Sequence, residues 1–218
     1  MLNKLLDKIE SKCRRFAVDD LMIYVIITMG VIYAFDYVLS FNPNTAVSLS
    51  SYLDFDRALI MKGQVWRILT FLFIPDFDNP IWVAFELYFM WMLGTGLQKA
   101  WGAFKFNVYF IVGALGCMAA GMILGYATNT YHYLSLFLAF AILYPDYEIM
   151  LFFILPVKMK WLGIIEGASL LLTFIFTGIS GKVFIGLSLI NLILFFGKDM
   201  YDRIYYWIRR KNFNKNNK

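Results

Sequence analysis

The segment LMIYVIITMGVIYAFDYVLSF at residues 21–41 decides the fold class of this chain, because its single charged residue is Asp36. An α-helix needs about 20 apolar residues to cross a hydrocarbon core of roughly 30 Å, so the segment predicts a transmembrane helix. The rest of the chain is similar, since 61% of its 218 residues are hydrophobic and 16% are charged. Soluble domains average about 45–50% apolar and about 25% charged residues. The composition therefore predicts one all-α integral membrane domain.

Five further apolar runs follow the first, at 81–97, 104–124, 131–144, 161–178 and 183–197. A shorter run at 149–155 lies between two prolines and is too short to cross, so we interpret it as a re-entrant or interfacial piece. These runs predict six spans. Two of them, 131–144 and 183–197, are shorter than a usual span; they predict local thinning of the bilayer, unless flanking aromatic residues extend the helices.

The basic residues are distributed unevenly between the two sides that six spans create. Arg57, Lys62, Arg67 and Lys182 fall on one side, and the other 16 of the 20 Lys and Arg residues fall on the opposite side. Cytoplasmic segments carry such an excess of basic residues. The sequence therefore predicts a multi-pass protein of the cell membrane with both termini in the cytoplasm.

Three regions are expected along the chain. Residues 1–20 place apolar residues at helical spacing with basic residues beside them, which predicts an amphipathic helix in the inner interface. Residues 21–197 form the six-helix membrane domain, and residues 198–218 form a basic cytoplasmic tail.

Membrane lipids are the partners that the charge suggests. We expect Arg14, Arg15 and Arg209–Lys211 to contact anionic headgroups, although simple solvation explains them almost as well. No basic and aromatic array indicates nucleic acid. Cys13 and Cys117 match no metal or redox spacing, and no cofactor is expected.

The string GQVWRILTFLF at residues 63–73 fits a Gly-Gln-x-Trp-Arg-x-x-Thr-x-x-Phe pattern. It resembles the first external loop of the rhomboid superfamily. Gly94–Gly102 is similar to the family's Gly-x-x-Leu-Glu pattern, with Gln98 in place of Glu, and the segments around Pro145 and Pro156 are similar to those of bacterial rhomboids. The likeness covers about residues 20–197 and implies a six-helix rhomboid-like bundle.

The candidate structural loop motif comprises Gly63, Gln64, Trp66 and Arg67. An Arg at the membrane interface can donate several hydrogen bonds to loop carbonyls, which lipid cannot satisfy. Trp66 suits the interfacial aromatic belt, so plain membrane anchoring is its alternative role.

Glycines indicate where helices pack closely. Gly113, Cys117, Gly121 and Gly125 recur every fourth residue, a spacing typical of close helix contacts in membranes. The packing candidates are Gly94, Gly113, Gly121, Gly125, Gly163 and Gly167. We expect them to hold one chain together; a dimer interface is the alternative.

The catalytic residues that the resemblance implies are missing. An active rhomboid has a serine in Gly-x-Ser-Gly at the start of the fourth span and a histidine in the sixth. Here residues 129–133 read Asn-Thr-Tyr-His-Tyr, and Asn191 or Ser188 stands where the histidine is expected. Trp82 and Glu86 take the positions of the second-span His and Asn. The resemblance therefore implies a pseudoprotease, similar to the Derlins and inactive rhomboids, with no catalytic residues.

One alternative catalytic pair is present. Gly178–Gly181 reads Gly-Ile-Ser-Gly, and the one histidine of the chain, His132, lies on the same predicted side as Ser180. A serine is nucleophilic only when a base takes its proton, which makes this pair a candidate dyad. The simpler expectation is that Ser180 lies in a turn and that His132 is an interfacial polar residue.

Two carboxylates lie within predicted spans, Glu86 in the second and Glu166 in the fifth. Intramembrane acids are costly and often functional. Asn191, Ser169 and Thr173 are their candidate partners. We expect structural hydrogen bonds between helices, and the alternative is a small transporter in which the two acids bind an ion or relay a proton.

Taken with the resemblance, these features predict a non-catalytic protein that binds transmembrane segments of client proteins or eases their movement through a thinned bilayer. The alternatives are an intramembrane serine protease with an atypical site and a small transporter.

Overall fold

The computed structural model describes residues 10, 15, 17–41, 48–151 and 155–197. The amphipathic helix predicted for residues 1–20 falls almost wholly outside these ranges, and the tail predicted for 198–218 does so entirely. The long helices, numbered in chain order together with the short helices given below, are α1 (Leu21–Ser40), α5 (Pro80–Trp101), α6 (Ala103–Leu124), α7 (Thr130–Leu143), α8 (Met159–Phe176), α9 (Ile179–Ser188) and α10 (Ile190–Gly197). The six runs predicted to span the membrane thus begin and end within a few residues of one of these helices or, for 183–197, of the pair α9 and α10.

Among the described residues, four helices are long and apolar enough to cross a membrane, namely α1, α5, α6 and α8. The pair α9 and α10 makes a fifth candidate span, although it is bent by 55°. Helix α7 is apolar but has 14 residues. The protein is therefore an all-α membrane protein with four or five candidate spans, plus the shorter α7.

The helix ends are set by local chemistry. The side chain of Asn79 accepts a hydrogen bond from the amide of Ile81 at 3.0 Å, and Pro80 occupies the first turn of α5. Both features favour a helix start. Gly102 separates α5 from α6 with φ of +82°, and Gly125 ends α6 with φ of +99°. Residues with a Cβ atom rarely adopt positive φ angles of this size, so glycine is favoured at both positions.

Short elements connect α1 to α5 at one end of the bundle, which we call the loop end. They are α2 (Leu49–Leu53), β1 (Phe55–Asp56), α3 (Arg57–Met61), α4 (Arg67–Thr70) and a 3-10 turn (Phe71–Phe73). β1 pairs antiparallel with β2 (Tyr126–Ala127), which follows α6. The loop end is therefore joined to the bundle by backbone hydrogen bonds as well as by packing.

The opposite end, which we call the hairpin end, contains the second pair of strands. The described residues of the run 149–155, predicted to be a re-entrant or interfacial piece, belong to an antiparallel hairpin of β3 (Glu148–Leu151) and β4 (Leu155–Lys158). Lys158 and Lys160 both contact the carboxylate of Asp146 beside it, at 3.6 and 3.1 Å. The hydrogen bond from Lys160 holds the pKa of Asp146 below its usual range, with Lys158 adding to the effect.

The core lies around α7, which packs against α5, α6 and α8. Its fully buried members include Met29 of α1, Leu93 of α5, Tyr109 of α6 and Leu136 of α7. A second buried cluster at the loop end holds Phe55 and neighbouring side chains of α6. In contrast, 6% of the most apolar part of α8 is buried, so this helix lies at the edge of the bundle.

Candidate functional site

An open cleft separates α5 from α8, and we call it the α5–α8 cleft. Both helices pack on α7 rather than closely on each other, so the face of α7 between them forms the floor. The cleft has a volume of about 340 Å³. Its lining residues are Phe89, Met90 and Leu93 of α5, Thr130, Tyr133, Leu134 and Phe137 of α7, Glu166 of α8, and Asp76 of the preceding loop. The cleft is therefore apolar for most of its length, with polar groups at separate points.

The loop end of the cleft is built by hydrogen bonds from Asn129, the residue before α7, and from α7 itself to residues 72–76. The Asn129 side chain donates to the carbonyls of Leu72 and Ile74, at 3.2 and 2.7 Å, and the Tyr133 hydroxyl also donates to Leu72. These bonds satisfy irregular backbone at the end of the bundle, where lipid offers no partner. Asn129 and Tyr133 therefore fix the rim of the cleft, and sequence reasoning assigned neither of them a role.

Asp76 lies on this rim. Its carboxylate accepts a hydrogen bond from the Thr130 hydroxyl at 3.3 Å, and its amide donates to Oε1 of Glu86 at 3.2 Å. Partial desolvation of the carboxyl group raises the pKa of Asp76, and the bond from Thr130 offsets part of the rise. The rim thus places a carboxylate where the apolar cleft begins.

The structure corrects the role predicted for Glu86 and gives the position of Glu166. Glu86 is buried, and its hydrogen bond goes to the loop amide of Asp76 instead of to another helix. Its second oxygen has no hydrogen-bond partner among the described residues. Glu166 lines the α5–α8 cleft, which Glu86 does not. The α5–α8 cleft, as its described residues line it, therefore holds one of these two carboxylates and not both.

Two of their three candidate partners, Thr173 and Asn191, form hydrogen bonds elsewhere. The Thr173 hydroxyl donates to the carbonyl of Ser169 within α8, at 2.9 Å. The Asn191 amide, predicted to join a polar site with the two acids, donates to the carbonyl of Tyr109 at 3.3 Å and to the hydroxyl of Ser135 at 2.8 Å. Asn191 therefore belongs to a different polar cluster, in the core.

This core cluster contains His132, which corrects a second prediction. His132 was expected at the membrane interface, yet it is fully buried, and neither ring nitrogen has a hydrogen-bond partner among the described residues. Its ring contacts Phe110 edge to face, with 4.6 Å between centroids. Gly113 makes room for it, because a Cβ there would collide with the His132 ring and the Asn191 amide.

The candidate Ser180–His132 dyad is not formed. Ser180 is exposed at the start of α9, whereas His132 is buried in the core without a hydrogen bond to any described hydroxyl. Ser135 lies nearer to the histidine in sequence, but its hydroxyl donates to the backbone carbonyl of His132 at 2.6 Å and not to the ring. The hydrogen bond that would activate a serine nucleophile is therefore absent from the described part of the chain.

Arg67 has the loop contacts expected from the sequence. It is 4% exposed, and its guanidinium donates to the carbonyls of Ser51 and Asp54 at 3.0 and 2.7 Å and to the Gln64 side chain at 2.7 Å. Trp66 is half exposed and donates its indole N–H to the carbonyl of Tyr52 at 3.1 Å. Gly63 has φ of +104° and turns the chain ahead of them. The motif thus holds the loop end together.

The packing glycines divide into two groups. A Cβ would collide with Met22 at Gly94, with Phe55 at Gly121 and with Ala141 at Gly163, so these positions require close approach. Gly125 and Gly167 have no atom within 4 Å of such a Cβ, which corrects their predicted packing role. Gly125 instead ends α6 through its positive φ.

Sequence reasoning missed the closest helix contact of this kind. A Cβ at Gly116 would run into the backbone carbonyl of Leu187 in α9. Gly116 lies three residues after Gly113, so it is not part of the series of every fourth residue that begins at Gly113 and predicts the packing face. A search for small residues at both three- and four-residue spacing would have found it.

Within the described ranges, no group of three or more His, Cys, Asp or Glu side chains is arranged to hold a metal ion. Comparisons of the chain with protein-family models, with curated proteins and with solved structures gave no match. The α5–α8 cleft is therefore the candidate site on its geometry alone.

Proposed function

We propose that this chain is a non-catalytic, rhomboid-like membrane protein, a pseudoprotease that binds transmembrane segments of client proteins in the α5–α8 cleft. One observation carries the proposal: α8 is an apolar helix with 6% of its most apolar part buried, beside a cleft that opens between it and α5. A helix from another protein can bury the apolar walls on both sides at once. Helix packing of this kind drives association within membranes.

The polar groups of the cleft favour a protein segment over a lipid chain as its occupant. Asp76 and Thr130 at the loop end and Glu166 on α8 are the charged or hydrophilic members of a mostly apolar lining. In hydrocarbon such groups gain from a polar partner, which a helix with Ser, Thr, Asn or Gln can supply and an acyl chain cannot. We therefore expect clients whose transmembrane segments carry polar residues.

The six-span, rhomboid-like arrangement is part of this proposal. Counting α1, α5, α6, α7, α8 and the bent α9 and α10 pair gives six crossings. An even number of crossings puts the two ends of the chain on one side, which we assign to the side of the hairpin end. Most basic residues belong to that side, which supports a cytoplasmic position for it. The Trp66–Arg67 loop motif is the most specific sequence support for the resemblance.

The bent pair supports local thinning of the bilayer. From Ile179 to Gly197, the last described residue, the two helices reach about 24 Å when bent by 55°, and the bend shortens the distance that these residues cover across a hydrocarbon core of roughly 30 Å. Ile193 and Leu194 are 60% and 48% exposed, which leaves this bent segment open to lipid. A bilayer next to a span that covers less than its thickness thins or deforms at a modest cost. Helix α7 is also short, but other helices surround it.

Site-specific photo-crosslinking tests the proposal. A photoreactive phenylalanine analogue replaces Phe89, which lines the cleft, or Phe35, which is 58% exposed on α1. We expect crosslinks from position 89 to map to transmembrane segments of other membrane proteins, and position 35 to give lipid adducts. Equal protein crosslinking from both positions would contradict a specific binding site in the cleft.

A fluorophosphonate probe tests the absence of serine hydrolase chemistry. We expect no labelling of the purified protein, because Ser180 is exposed and is not hydrogen-bonded to His132. An active rhomboid labelled in parallel is the control. Labelling that disappears in Ser180→Ala or Ser135→Ala would overturn the pseudoprotease assignment and identify the nucleophile.

A further inference from the structure

A second cleft lies at the hairpin end, between α5 and α7, and we call it the α5–α7 cleft. Its volume is about 280 Å³. On α5 it is lined by Tyr88, Trp91, Thr95 and Lys99, which follow one another at spacings of three or four and so share one face of the helix. Phe140 of α7 forms part of the opposite wall. Aromatic rings therefore line a groove that ends at a lysine.

The depth of this cleft matches one leaflet. Tyr88 and Lys99 are about 16 Å apart along the helix axis at the rise of an α-helix. That distance is about half of a hydrocarbon core of roughly 30 Å. The groove thus runs from the headgroup level at the hairpin end to near the middle of the membrane, which is the span of one acyl chain.

The walls are fixed by packing. A Cβ at Gly96 would collide with the ring of Phe140, so glycine allows α5 and α7 to meet at the floor. The Tyr144 hydroxyl donates to the carbonyl of Gly96 at 3.2 Å, which ties the end of α7 to α5. The cleft is therefore a formed groove between two bonded helices.

The charge at its mouth has no counter-ion within the described residues. Lys99 is exposed and makes no ion pair or hydrogen bond there, whereas Lys158 and Lys160 at the same end both contact Asp146. An ammonium at the membrane surface attracts an anionic headgroup. Tyr147, also in the lining, brings a phenol that can donate a hydrogen bond to a phosphate.

We propose that the α5–α7 cleft binds one anionic phospholipid, with its phosphate at Lys99 and Tyr147 and an acyl chain along Trp91 and Thr95. The site is distinct from the α5–α8 cleft and does not depend on client binding. A third cleft, at the loop end, is lined by Asp36 and Asp78, and its acidic groups do not suit a phosphate.

Native mass spectrometry of the full-length protein in detergent tests this site. The probes are dioleoyl phosphatidylglycerol and dioleoyl phosphatidylcholine, which share their acyl chains and differ in headgroup charge. We expect the wild-type protein to bind phosphatidylglycerol about fivefold more tightly, the contribution of one lysine near an anionic surface. Lys99→Gln should remove this preference. Lys160→Gln is the matched control and should keep it, because Lys160 is paired with Asp146.

Two further arms identify the source of the phosphate and the part played by the groove. Inorganic phosphate at millimolar concentration should not displace phosphatidylglycerol; displacement would overturn the lipid assignment in favour of a soluble phosphate. Thr95→Phe fills the groove and should weaken both lipids. An unchanged preference in Lys99→Gln, or equal losses in the two lysine variants, would refute the site. Because Lys99 is exposed, its variant is expected to fold.

Discussion

The contact between Gly116 and α9 makes a quantitative prediction. In Gly116→Ala the new Cβ would collide with the carbonyl oxygen of Leu187 and would lie 3.0 Å from its carbonyl carbon and 3.1 Å from Cγ2 of Ile190. Carbon atoms pack at about 3.5–4.0 Å. The obstacle is helix backbone, which cannot rotate away as a side chain does. Helices α6 and α9 must therefore move apart along the contact.

The size of the effect follows from this geometry. Overpacking costs about 1–3 kcal/mol and occasionally more, and a backbone obstacle places Gly116→Ala at about 3 kcal/mol. Gly167→Ala is the matched control. It also replaces a glycine in the middle of a helix, but its new Cβ meets no atom within 4 Å. That control should be neutral or more stable by about 0.5–1 kcal/mol, since alanine is the better helix former.

Steric trapping in bicelles measures the free energy of unfolding of both variants. We expect them to differ by about 3–4 kcal/mol, with Gly116→Ala the less stable. A difference below about 1 kcal/mol would refute the reasoning, because α6 and α9 would then have room that the structure does not give them.

Further predictions concern the loop and the helix ends. Arg67→Lys should lower the free energy of unfolding by about 2–4 kcal/mol, and denaturation by SDS measures this. The three N–H donors of an ammonium sit on one nitrogen, whereas the buried guanidinium reaches its three acceptors from two separate nitrogens. Gly125→Ala should cost about 1–2 kcal/mol through its φ of +99°, and a gain like that of Gly167→Ala would contradict this. Lys160→Gln should raise the pKa of Asp146 toward its usual value in a carbon-13 NMR titration. Since the folded-state pKa is depressed, the Asp146 contribution to stability is present above the unfolded pKa and is lost as pH falls through the folded one.

The membrane helices were predictable because hydropathy and length determine them. The run 21–41 became α1, Leu21–Ser40, and the run 104–124 became α6, Ala103–Leu124. The loop contacts of Arg67 were predictable for a similar reason, since a buried guanidinium must find acceptors. Both inferences use the chemistry of a segment without reference to distant parts of the chain.

The interior of the bundle was not predictable in this way. Helix α7 is apolar on nearly all sides, so its sequence does not show which face meets lipid, and burial of His132 depends on Gly113 in another helix. The bend between α9 and α10 has no proline to mark it. The partner of Glu86 is a loop amide, which no side-chain pattern reveals. These features arise from tertiary packing.

The hydrogen bonds that Asn129 and Tyr133, at the start of α7, donate to the carbonyl of Leu72 have a consequence for synthesis. Asn129 lies 57 residues after Leu72, and Tyr133 lies 61 residues after it. At about 5–20 residues per second, a ribosome takes about 3–12 s to make that interval. For those seconds the turn at 71–73 has been made, but the Asn129 and Tyr133 side chains that donate to the carbonyl of Leu72 have not. Until α7 arrives, this part of the nascent chain must stay in water or be sheltered by the insertion machinery.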